Sequence, residues 1–168
     1  MRIIRAAVIG AMCTATMLAG VGVATAAVHA PGNHRWITGT EHFQIVSTSV
    51  SGARSRVAAY GLFNASGVDH AITRHIDVFR FGNGSFRVTH KATRSRQHFS
   101  KVTCSGTFSE RGVYRLSHGH GRYAGIRGHG HYVLRGLFLT RHAVHGCGHK
   151  PIAVQTVVHA HGPAAVLP

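Results

Sequence analysis

Between Gly112 and Gly136 the chain reads GVYRLSHGHGRYAGIRGHGHYVLRG, with seven glycines set among aromatics and arginines. No helix tolerates that rhythm, because each interior Gly costs up to ~1 kcal/mol relative to Ala. The glycines instead mark turns, bulges and close backbone approaches in β-structure. From Glu41 onward the chain is a series of short alternating apolar and polar runs with turn residues between them, and no stretch keeps a helical period. The expected fold class is therefore all-β. Strands are predicted at 42–50, 57–65, 70–81, 85–93, 98–108, 112–117, 129–140 and 152–160. Eight antiparallel strands joined by short turns favour a closed barrel over a sandwich, since closure removes exposed edges. A barrel of that size has room inside for its own side chains or for one small ligand.

The N-terminal residues 1–27 have the plan of a secretory signal peptide: Arg2 and Arg5, then a small and apolar run from Ala6 to Val23, then the A-x-A box Ala24-Thr25-Ala26. Residues 28–40, which contain Pro31-Gly32-Asn33, are expected to form a flexible leader with Trp36 and Ile37 covering one end. The barrel domain is placed at 41–161 and a C-terminal tail at 162–168. Export places the protein outside the cell, and no later segment is apolar enough to span a bilayer. Two of the three cysteines, Cys104 and Cys147, lie beyond the leader. In an oxidising compartment they are expected to form one disulfide. The competing reading makes Cys147 a metal ligand within HAVHGCGH.

The segment FRFGNGSFRV predicts a two-residue type I′ hairpin at Asn83-Gly84. That turn would pair Phe81 with Phe86, Phe79 with Val88 and Asp77 with His90 on the inward face. Asp77 and His90 are thus the candidate acid and base, or a structural pair satisfying each other at the barrel mouth. Two H-x-H pairs, His118 with His120 and His129 with His131, could each offer two imidazoles to zinc, copper or nickel; solvated loop histidines are the competing reading. Arg94 and Arg96, in a loop after the hairpin, are candidate anion contacts.

With 19 basic residues against four acids, Glu41, Asp69, Asp77 and Glu110, the chain is strongly polycationic, and it stays so when Arg2 and Arg5 leave with the leader. Such a surface attracts anionic cell-envelope polymers. Specific nucleic-acid recognition is not expected, because the sequence holds no recognition motif or row of stacking aromatics. No cofactor motif is present.

The hairpin DVFRFGNGSFRVTH, the run CSGTFSERGVYRLSHGHGRYAGIRGHGHY, the second cysteine and the closing strand together resemble small secreted actinobacterial proteins related to the allene oxide cyclase and dirigent barrels. The most specific piece is GHGRYAGIRGHGHY, and the resemblance covers residues 41–161. It implies an eight-stranded, lipocalin-like barrel, oligomeric in many plant relatives, and an acid inside the barrel that Asp77 could supply. His120, His129 and His131 stand where Thr or Ser is usual in the secreted relatives. Three functions follow as expectations: a non-catalytic binding or envelope-associated barrel holding a small hydrophobic ligand, as a monomer or homo-oligomer; an isomerase or coupling-guiding protein; or a polycation acting on metals or polyanions through its surface. The absence of a nucleophile and of an oxyanion donor favours the first.

Overall fold

The computed structural model describes residues 35–144 and 146–167. The expected signal peptide and the leader up to residue 34 lie outside the described residues. Eight antiparallel strands follow one another in chain order and close into a barrel: β1 (Ile37–Ser47), β2 (Arg54–Gly61), β3 (Ala65–Thr73), β4 (Ile76–Phe81), β5 (Gly84–Ser100), β6 (Ser105–Gly121), β7 (Arg127–Ala143) and β8 (Gly146–Val166). Closure comes from β1 and β8, paired from Ile37 with Val166 to Ser47 with Thr156. β1 thus begins within the segment expected as leader, and the expected tail continues β8 as far as Val166.

The strand number agrees with expectation through two errors that cancel. The predicted strand 70–81 is the end of β3 and all of β4, turning at Arg74-His75, where no Gly, Pro or Asn marks the bend. The predicted strands 98–108 and 112–117 share the single long β6, and 98–108 runs across the turn at Lys101–Cys104. Gly112, expected to begin a new strand, sits within β6 under the Tyr132 ring; a Cβ there would come 2.5 Å from that ring.

The expected register is also corrected. Phe81 pairs with Gly84, Phe79 with Phe86 and Asp77 with Val88, so the turn is Gly82-Asn83. Neither turn residue has positive φ, as a type I′ turn requires. Gly84 is committed elsewhere: a Cβ on it would come 2.3 Å from the carbonyl oxygen of His120 on β6. Close approach of that neighbouring strand draws Gly84 into β5 and moves the turn back by one residue.

Alternation then builds the core. Phe43, Phe79, Phe81, Phe86, Val88, Tyr114 and Leu116 point inward and are buried. One end is stoppered by the corner that joins β6 to β7, where Tyr123 and Ile126 are buried and the Tyr123 ring lies 5.0 Å from Phe63 and 5.4 Å from Phe86. Trp36 lies over this corner beside Gly125, with the Arg127 guanidinium 3.8 Å above its ring. The other end stays open. Strands β5 to β8 run on past it as a four-stranded projection, stapled by a disulfide from Cys104, in the β5–β6 turn, to Cys147 on β8. No helix among the described residues is long and apolar enough to cross a membrane.

Candidate functional site

All four carboxylates of this basic chain are on the inner wall of the barrel. Strand parity puts them there: Glu41 shares the inward face of β1 with buried Phe43 and Ile45, Asp77 that of β4 with Phe79 and Phe81, and Glu110 that of β6 with Tyr114 and Leu116. Asp69 on β3 pairs with Phe79 of β4 and Ser55 of β2. The outer face therefore carries arginine, lysine and histidine with no Asp or Glu among them.

At the open end the interior widens into a cavity of about 360 Å³. Its floor is apolar, formed by Phe43, Ile45, Phe79, Val88, Leu134 and Val158, while Asp69, Asp77, His90 and Glu110 stand around its upper wall. His90 Nε2 lies 3.2 Å from Asp77 Oδ2, the only ion pair among the described residues. The two are diagonal neighbours rather than directly opposed, but they share the inner face as expected. The hydrogen bond to Asp77 raises the His90 pKa against the opposing effect of burial. Tyr132 donates its hydroxyl to Glu110 Oε1, and Ser95 donates to Oε2 at 3.4 Å. Burial, the Glu110 hydrogen bond and the Glu110 charge all push the Tyr132 phenol up.

Asp69 differs from these paired groups. Its Oδ1 is buried without a hydrogen-bond partner, and burial, reinforced by the Asp77 charge, raises its pKa to about 7. Near neutral pH this carboxyl exists in both protonation states, so it can give or take a proton within the cavity. At the stoppered end Glu41 is fully buried and accepts a hydrogen bond from the Phe63 amide at 3.0 Å. Burial raises its pKa to about 7 as well. Glu41 holds the β2–β3 loop rather than facing the cavity.

The remaining expected site residues scatter. Among the described residues no three metal-ligating side chains converge. His118 takes positive φ in the β5–β6 bulge and bonds to Ser117, and His129 and His131 lie on the outer face of β7. The true neighbour of His131 is His161 on β8, itself opposite His42 on β1, whose ring lies 6.0 Å from that of His161. That row depends on how the barrel closes, which spacing along the chain does not reveal. Cys147 is in the disulfide and so is no metal ligand. Arg94 and Arg96 lie within β5 rather than in a loop, and Arg94 pairs with Arg111. Sequence reasoning missed Asp69 and Glu110 as cavity residues; their rarity in a chain with four acids was the available signal.

Comparison with family models finds none that matches the chain, and comparison with curated proteins and with solved structures likewise gives no significant match.

Proposed function

We propose that this chain is a secreted barrel protein that binds one small, mainly apolar molecule in its interior, with the polar end of that molecule held by Asp69, Asp77, His90 and Glu110. The observation that carries this reading is the placement of every carboxylate inside, three of them at a cavity of about 360 Å³ with an apolar floor. Ligand sites of this kind bury an apolar body and orient it with a few polar groups. An unpartnered buried carboxylate is costly in a filled core, and a ligand donor at Asp69 would relieve that cost. The Cys104–Cys147 disulfide supports export to an oxidising compartment. The resemblance to allene oxide cyclase and dirigent barrels fits the same use of the interior.

One observation favours a second, catalytic reading. Asp69 titrates at about 7 beside Asp77, which forms an ion pair with His90. A carboxyl poised near neutrality next to a carboxylate–imidazole pair is suited to moving protons on a bound substrate. Isomerisation or guided coupling of a small hydrophobic substrate would use Asp69 as the acid and Asp77 with His90 as the base.

Native mass spectrometry of the protein purified from its own host tests the binding reading. The expected result is a discrete added mass, one equivalent per chain, that the cavity-filling variant Val158→Trp does not retain. An added mass retained unchanged by that variant would place the ligand elsewhere and contradict the proposal.

A further inference from the structure

Segregation of the acids leaves the outer arginines without a single side-chain carboxylate to pair with, and on one face they converge. Arg54 and Arg56 lie two residues apart on β2, hence ~6–7 Å apart on one face. Across the sheet, Arg56 pairs with Val68 of β3 and Val68 with Arg80 of β4; in the next row Arg54 pairs with His70. Arg54, Arg56, His70 and Arg80 line one outer groove of about 590 Å³ with Val46 and Val68 at its base. The three arginines are exposed.

We propose that this groove binds a phosphodiester or polyphosphate chain through its phosphates alone. The inference does not depend on the cavity reading, because Arg54, Arg56, His70 and Arg80 do not line the cavity; the groove shares with it only the rim residues Ser47 and Ser55, neither of which is invoked. Guanidinium forks match phosphate oxygens in a bidentate way, and three forks along one groove can meet successive phosphates. No Phe, Tyr or Trp lines the groove to stack a base, so recognition has no base-reading element. Arg94 and Arg96, the anion contacts expected from sequence, lie outside this groove.

The test uses the full mature protein and inorganic polyphosphate of fixed length, titrated at several salt concentrations. Replacing Arg54, Arg56 and Arg80 together by Gln should lower the slope of log affinity against log salt by about 2 to 3, as expected for three lost phosphate contacts. Replacing Arg122, Arg135 and Arg141 removes the same charge elsewhere and should change the slope by less than about 1. The Lys triple R54K/R56K/R80K keeps the charge and should keep the wild-type slope while binding more weakly. Equal losses in the two Gln triples would overturn the groove in favour of diffuse surface charge. A preference among single-stranded oligonucleotides of different base sequence would overturn phosphate-only recognition. Unchanged thermal melting of the variants separates lost binding from lost fold.

Discussion

His90 Nε2 sits 3.2 Å from Asp77 Oδ2 although the strand partner of Asp77 is Val88, so the contact is a diagonal one across the β4–β5 hairpin. Both side chains are largely but not wholly shielded, at 24 % and 18 % exposure, so the pair stands at the inner rim of the cavity. A hydrogen bond from imidazolium to carboxylate there raises the His90 pKa. Asp77→Asn removes the charge and should lower the His90 pKa, read from its ring proton shifts across a pH titration. An unchanged midpoint would mean that the two side chains do not meet in solution.

The hairpin register makes its own prediction. Gly84→Ala puts a Cβ 2.3 Å from the His120 carbonyl and should destabilise the fold by ~1–3 kcal/mol. Gly82→Ala meets nothing within 4 Å at a turn residue without positive φ, and should change stability by less than ~0.5 kcal/mol. Denaturant midpoints of the two variants check the close approach of β6 to Gly84, and the reverse ranking would contradict it.

Those two positions show how far the sequence could be read. Alternation along DVFRF and SFRVTH identified the inward face, and a register change of even parity leaves that face intact, so Phe79, Phe81, Phe86, Val88, Asp77 and His90 point where periodicity places them. The turn itself was not legible, because what fixes Gly84 is a backbone carbonyl from β6, a contact distant in sequence. Asp69 was hidden for a similar reason. Its inward orientation comes from pairing with Phe79, and the local string ASGVDHAIT has too few large apolar residues to show which face is inside. The row of His42, His161 and His131 exists only once β1 meets β8.

Stability should fall as pH rises from about 4 to 8. Asp69 and Glu41 both have folded pKa values of about 7, above the ordinary 3.8 and 4.5, so the folded state holds more protons than the unfolded state between those limits. Their favourable contribution is complete below the unfolded values and is lost as pH passes through 7. His90, also raised, contributes in the same direction, its stabilisation fading above its folded pKa. Glu41→Gln removes one of these titrations and should flatten the decline, seen as a smaller drop in Tm between about pH 5 and 8 than in the wild type. A wild-type Tm that rises over this interval would contradict the burial of both carboxyls.

The disulfide joins residues 43 apart in sequence, and in the chain-entropy model a loop of that size stabilises a fold by ~4 kcal/mol. The double variant C104S/C147S should therefore melt well below the oxidised protein, and reducing agent should lower the wild-type Tm while leaving the variant unchanged. Equal melting of oxidised protein and double variant would show that the bond adds nothing to folding.

The claim that the barrel interior is a ligand site is tested most directly by titrating the protein with the neutral fluorophore N-phenyl-1-naphthylamine, whose lack of charge keeps the cationic surface out of the measurement. Saturable enhancement at one probe per chain, strongly weakened in Ala160→Phe, where the larger side chain projects into the cavity, is the predicted result. Ala58→Phe, on the outer face of β2, should bind as the wild type does. Enhancement that persists in Ala160→Phe, with its fold intact by thermal melting, would contradict the account.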